Sequence, residues 1–368
     1  MTGRTTRGDQ RGGERGRSGP ESPAPARRTR LLRLVVVAAL GIVVGVGIYL
    51  GDGILTTPRP IDAPGWSTVA EMPEPRGETA VASTASRLYV IGGMTGLGFA
   101  ASASVSILDA ATEAWIAGPP LPEPRHHAAA AAVGDTVYLA GGASPDGAPS
   151  EDVWVLHPGA AAWEPVAPMP VGRMGHRMVA VGDRLYVVGG VAGPAGPAAG
   201  DPDALARGVL VYDTVADAWS VASPMPLVRD HLAAVVVDGE IWAIGGRAGG
   251  LNHARVDIYD PVADAWRDGI PLPEPTSGAA EAIVAGKILL SGGEDPFKGM
   301  IVDRHWFLDS RAGAAATWME LARPPLTVHG APGGDLRGRF VIAGGASRAA
   351  GQSNTAWTGI TQVLLELP

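Results

Sequence analysis

Hydrophobic and polar positions alternate in short bursts along most of the chain. Between residues 126 and 170 the runs HHAAAAAV, VYLAGG, VWVLHP and AWEPVAPMP follow one another, each bounded by Gly, Pro, Asp or His. Short apolar runs rich in β-branched and aromatic types and separated by turn residues predict strands. The first run is almost pure alanine, which suits an innermost strand where sheets converge on a crowded axis. A different pattern occupies residues 34–50, an uncharged apolar run that predicts a helix.

The strand RLYVIGG at 87–93 ends on paired glycines, as many phosphate loops begin. Its continuation, MTGLGFAASASVSILD, lacks G-x-x-x-x-G-K-[ST] and G-x-G-x-x-G, and the Gly286-Lys287 pair is followed by Ile288. The motif support for a nucleotide loop is therefore weak. The glycine pair instead recurs, as YLAGG, YVVGG, WAIGG, LLSGG and VIAGG, ending at 142, 190, 246, 293 and 345. In all six copies a tryptophan precedes the first glycine at one constant spacing, from Trp66 to Gly92, Trp115 to Gly141, Trp163 to Gly189, Trp219 to Gly245, Trp266 to Gly292 and Trp318 to Gly344. A proline follows every one of these tryptophans at a fixed distance, at 73, 122, 170, 226, 273 and 325. The period, about 50 residues, is that of a propeller blade.

The chain reads as closing on itself. After Gly344-Gly345 it supplies a third strand, TQVLLEL, and no tryptophan strand, whereas the body opens on an orphan one, WSTVAEM at 66–72. If 66–72 completes the last blade, the free sheet edges disappear and residues 66–368 form one domain. The expected fold is thus all-β, a six-bladed propeller preceded by an N-terminal transmembrane helix.

Residues 1–65 read as an address and a tether. Residues 1–30 are Arg, Gly, Ser and Pro with almost no large apolar side chain, a composition that predicts a disordered cytoplasmic tail. Residues 31–51 predict an uncleaved signal anchor, longer than a signal-peptide core and without an A-x-A-like site. Nine arginines against three acids precede the apolar run, so the positive-inside rule sets the N-terminus in the cytoplasm and the propeller outside a cell membrane crossed once. Gly41-x-x-x-Gly45 and Gly47-x-x-x-Gly51 are a candidate dimer contact between two such helices, and 52–65 is a linker.

Charge and cysteine content narrow the chemistry. The net charge is −8 despite the basic tail, so the body is acidic and a nucleic-acid partner is excluded. Cysteine is absent, which removes disulfides, thiolate metal sites and a cysteine nucleophile.

The Gly-Gly pairs, the aromatic residues upstream of them (Tyr89, Tyr138, Tyr186, Trp242), the Y-D-P/T segments at 212–214 and 259–261 and the spaced tryptophans resemble the Kelch family of β-propellers over residues 66–368. That resemblance implies a binding or interaction module, since the family includes protein-binding modules, sugar-binding domains and a few enzymes. Galactose oxidase, a Kelch-type propeller, uses copper with a tyrosine cross-linked to cysteine, chemistry that a cysteine-free chain cannot perform. N-acetylneuraminate epimerase, a small Kelch propeller outside the cytoplasm, supplies the alternative of a sugar epimerase or mutarotase, with Glu78, His127 and His231 as candidate acids and bases.

Antiparallel threading puts the loop between the second and third strands on the same face as the connection into the next blade, and any ligand is expected there. The stretch from the first glycine to the end of the third strand is nearly constant in four blades, at 92–109, 141–157, 245–260 and 292–309. The third blade instead inserts VAGPAGPAAGDPDALARG. Arg76, Arg125, Arg173 and Arg229 each stand ten positions after a tryptophan, and Arg247 and Glu294 follow glycine pairs. Together they read as ligand-binding residues at a cationic mouth suited to an anionic carbohydrate or an acidic peptide. The competing reading is that these arginines pair with carboxylates or carbonyls of neighbouring blades. The eight histidines occupy different repeat positions, so neither a metal nor a cofactor is expected.

Overall fold

The computed structural model describes residues 59–96, 99–193, 207–349 and 356–367. The disordered tail, the anchor at 31–51 with its glycine motifs, and most of the third-blade insertion lie outside them. Among the described residues no helix is long and apolar enough to cross a membrane.

Six four-stranded antiparallel sheets make up the propeller. Blade I, for example, runs outward through Ala80–Ser83, Arg87–Ile91, Val105–Asp109 and Trp115–Ala117. Blades II to V repeat this order, starting from Ala129–Val133, Arg177–Val181, Ala233–Val237 and Ala280–Val284. Blade VI takes three strands from the C-terminal end and its outer strand, Trp66–Val69, from the beginning of the body. Trp66 pairs with Leu364 and Val69 with Thr361, so both ends of the body are held in one sheet.

The core lies between blades. Ala80, Ala82, Tyr89 and Ile107 of blade I pack with Ala130, Leu139, Trp154 and Trp163 of blade II in one buried cluster. Five further clusters fill the other blade junctions. The alanines of the inner strands let neighbouring sheets approach where the taper is narrowest.

Two sixfold hydrogen-bond sets join the blades and explain the repeat. Each tryptophan indole donates to the carbonyl four positions after the preceding blade's tryptophan, as Trp115 does to Ala70 and Trp163 to Pro119, at 2.8 and 2.9 Å. The same bond runs from Trp66, Trp219, Trp266 and Trp318. Meanwhile the second glycine of each pair donates its N–H to the next blade's residue ten after tryptophan: Gly93 to Arg125, Gly142 to Arg173 and Gly190 to Arg229, at 2.7 to 2.9 Å. A Cβ on Gly141 would stand 2.4 Å from the Arg173 carbonyl, and both Gly141 and Gly142 have positive φ. The glycine pairs are therefore backbone docking points between blades.

Short hairpins follow the glycine pairs, such as Arg247–Ala248 with Leu251–Asn252 and Glu294–Asp295 with Met300–Ile301. The incoming connections bridge to them, Asp230 to Arg247, Ser277 to Glu294 and His329 to Ala346. Loops and incoming connections thus share one face.

Candidate functional site

The residue twelve after each tryptophan lies at the axis: Glu78, His127, Gly175, His231, Gly278 and Gly330. All six have positive φ, between 52° and 65°. Their backbones form a ring. His127 N–H donates to Glu78 O, Gly175 to His127, His231 to Gly175, Gly278 to His231 and Gly330 to Gly278, at 2.8 to 3.0 Å, and Thr79 N–H reaches Gly330 O. Left-handed backbone is natural for glycine, whereas the other three residues hold it under strain, which the surrounding ring imposes.

That ring gathers the three candidate acids and bases that stand in separate blades. His127 Nε2 and His231 Nε2 lie 3.3 and 3.8 Å from Glu78 Oε2. On the other side of the carboxylate, His329 Nδ1 lies 3.4 Å from Glu78 Oε1 and 3.6 Å from Glu294 Oε2, while its Nε2 is 2.9 Å from the Arg348 carbonyl. Arg247 donates to Asp230 at 2.7 Å and to Glu294 at 3.0 Å. Its Nη2 is 3.1 Å from both ring nitrogens of His231. An in-plane approach at equal distance would strike the carbon between those nitrogens, so the guanidinium lies over the imidazole face.

Burial and mutual charge set the protonation states. Burial opposes ionisation of Glu78, yet His127, His329 and His231 hold it well below the usual carboxylate range. Burial also acts on His329, but Glu78 and Glu294 raise its pKa, consistent with an imidazolium between two carboxylates. His127 is pushed down to about 3, because burial outweighs the pull of Glu78, and is neutral at pH 7. Asp230 is lowered against its burial by His231 and Arg247.

Two overlapping triads could hold a cation. The ligand atoms of Glu78, His127 and His231, and those of Glu78, Glu294 and His329, each lie within 4.8 Å of one another. The expectation that scattered histidines cannot converge is thus not met by the geometry: closing the ring brings positions from blades I, II, IV, V and VI together.

The four arginines are placed differently from the cationic mouth expected of them. Arg76, Arg125, Arg173 and Arg229 are fully buried inside the blades. Arg76 binds the Ser104 and Val90 carbonyls, Ser106 and Glu74. Arg125 pairs with Asp152 and Glu123, and Arg173 binds the Gly189 and Gly208 carbonyls. Arg229 pairs with Asp257 at 2.7 Å and binds the Gly245 and Ala243 carbonyls. Their guanidinium groups bind carbonyls and carboxylates, as the competing reading expects, but in the blade that each arginine leads into rather than in a neighbouring one. Arg247 and Glu294 do reach the axial face, but as partners of each other.

Asp230, His329 and the Arg177–Glu281 pair, 2.6 Å apart beneath the ring, escaped the sequence reading. The signal was there for two of them: Asp230 and His329 share the position eleven after tryptophan, next to the ring position. Below the ring, the inner strands enclose an axial cavity of about 280 Å³. A second, of about 10 Å³, lies at the ring itself.

Comparisons with known proteins agree with this architecture. The KLHDC2/KLHL20/DRC7 Kelch-repeats domain matches residues 62–225, and the Kelch motif matches residues 229–272. No curated protein matches the chain. A solved structure described as "Structure of YjhT" is similar at a TM-score of 0.63 and 19% identity, over 80% of this chain and 96% of that one. At that identity the similarity concerns the fold.

Proposed function

We propose that this chain, a six-bladed propeller of Kelch repeats, is a binding module that takes a protein partner on its loop face. In the same proposal the propeller is displayed outside the cytoplasm on the anchor at residues 31–51. The observation that carries the reading is a set of large apolar side chains left in solvent on the hairpins after the glycine pairs. Phe297 is 79% exposed, Met300 57% and Leu251 56%, with Phe99 also exposed. Covering one such side chain yields about 1.5–3 kcal/mol, so three of them are a substantial contribution to a protein–protein contact. Leu251, Phe297, Met300 and Ile301 line a groove of about 580 Å³ between the hairpins of blades IV and V.

An anionic ligand loses its basis, since four of its five cations are buried and Arg247 is shared between Asp230 and Glu294. The groove fits a partner segment that presents apolar side chains, its rim polar through pairs such as Lys298–Asp295 and Arg304–Glu274.

Photo-crosslinking in intact cells tests this reading. A photoreactive residue at 251, 297 or 300 is expected to trap one discrete partner, and the same residue at Val215 or Val262, on the third-to-fourth-strand turns, to trap none. Equal products from both sets would overturn it. Protease added outside intact cells should digest the propeller; protection would overturn the topology.

A second reading rests on the convergence of Glu78, His127 and His231, the acid–base set of the epimerase alternative. Interconversion of sialic-acid anomers or epimers, followed by NMR and lost in Glu78→Gln, would establish it. Absence of turnover by the parent chain would dismiss it.

A further inference from the structure

We propose that Glu78, His127 and His231 form a binding site for one divalent transition ion of the zinc class on the propeller axis. Both histidines are arranged as metal ligands. His231 Nδ1 is 2.6 Å from Asp230 Oδ1, so it carries the proton that the carboxylate accepts and leaves the Nε2 lone pair facing Glu78. This is the carboxylate–histidine arrangement that orients metal-bound imidazoles. His127 Nδ1 is in hydrogen-bond contact with His126 Nδ1, and a proton on the His127 side likewise leaves its Nε2 facing Glu78.

Three acceptor atoms then converge with no proton between them. The Glu78–His127 and Glu78–His231 separations of 3.3 and 3.8 Å are longer than an N–H···O bond. The first matches the edge of a tetrahedron, about 3.3–3.5 Å when ligands stand about 2.0–2.1 Å from the ion, and the second is a few tenths of an ångström longer. Arg247 does not compete for the lone pair, because it lies over the His231 ring.

Space and backbone agree with an ion-sized occupant. The cavity of about 10 Å³ is lined by the three ligands together with Gly175, Gly278 and Gly330. That is about the room one water needs. A side chain at Gly330 would fill it, since its Cβ would stand 2.7 Å from Glu78 Oε1. The three ligands are the ring residues that occupy left-handed backbone without being glycine, an expense a folding role does not explain when glycine serves in the other three blades. Two imidazoles and one carboxylate, with a fourth position open to the cavity, suit zinc and its neighbours better than calcium or magnesium.

The full-length chain, purified in detergent and stripped with a chelator, is titrated with Zn²⁺ by calorimetry and with Co²⁺ by visible absorption. One ion per chain is expected, with the d–d bands of a four- or five-coordinate Co²⁺. Asp230→Asn, which removes the carboxylate that orients His231 and also pairs with Arg247, should weaken binding by about 10-fold. His127→Gly, His231→Gly and Glu78→Gly install the residue that other blades use at the same position, so they should stay folded by circular dichroism while losing the ion. No saturable binding by the parent chain overturns the proposal, as does binding that survives unchanged in the triple-glycine variant.

Discussion

His127 donates its backbone N–H to the carbonyl of Glu78 at 3.0 Å, and both residues hold left-handed backbone, at φ 55° and 52°. A non-glycine residue there costs about 1–2 kcal/mol, of which glycine returns part to unfolded-chain entropy. His127→Gly is therefore expected to raise stability by roughly 0.5–1 kcal/mol, read as a higher urea midpoint. Gly175→His should lower it. A clear loss in His127→Gly would mean that the side chain stabilises the ring, and that its strain is offset within the fold.

Arg229 and Asp257 are both fully buried, whereas Glu74, the partner of Arg76, is partly exposed. Replacing Arg229 by Leu strips hydrogen bonds from three carbonyls and leaves the inner carboxylate oxygen without its cation, so a loss of about 3 kcal/mol is expected. Glu74→Ala removes a solvent-screened partner and should cost less than about 1 kcal/mol. Guanidinium-chloride unfolding of the two variants compares them directly, and equal losses would contradict the burial argument.

Gly142 and Gly147 have nearly the same positive φ, 88° and 84°, in different surroundings. A Cβ at Gly142 meets the His126 carbonyl at 2.7 Å, while at Gly147 it meets nothing within 4 Å. Alanine at 147 should cost only the backbone strain, about 1 kcal/mol. At 142 the clash also strains the hydrogen bond to Arg173, and the loss should exceed that at 147 by roughly 2 kcal/mol. Thermal or urea midpoints of the pair isolate the docking role of the glycine from its conformational one.

His176 is fully buried, and burial, with the nearby Arg173 and Arg177, pushes its pKa from about 6.5 in the unfolded chain down to about 3. A depressed folded pKa means that the unfolded state takes the proton first as pH falls. The stabilisation is complete above about pH 6.5 and is lost between there and about pH 3, at a slope approaching 1.4 kcal/mol per pH unit. His176→Leu, which borrows Leu232 from the same position of blade IV, should flatten the decline between pH 6.5 and 4. An unchanged slope would assign the acid sensitivity to other groups.

Much of the fold was legible because a propeller writes its geometry into spacing. Trp115 and Gly142 are as far apart along the chain as Trp163 and Gly190, because the indole and the glycine N–H must each meet a neighbouring blade at a constant place. The site was less legible. Glu78, His127 and His231 could be picked as chemistry-bearing types, but their meeting required the ring to close. The pairing of His329 with Glu78 is not written in the chain around it, since Val328 and Gly330 say nothing of Glu78, which belongs to the opposite end of the repeat array.

By itself the sequence determined the strands, the number of blades and the positions where backbone must approach backbone, since those follow from local periodicity and from absent side chains. Tertiary structure alone decided which charges are spent and which are available. Arg125 and Arg247 are the same residue type, both near a blade's loop face. The first is sealed among carbonyls and carboxylates inside a blade, and the second lies over an imidazole at the axis. Burial depends on what the neighbouring blades bring to the same point, which no local stretch of sequence contains.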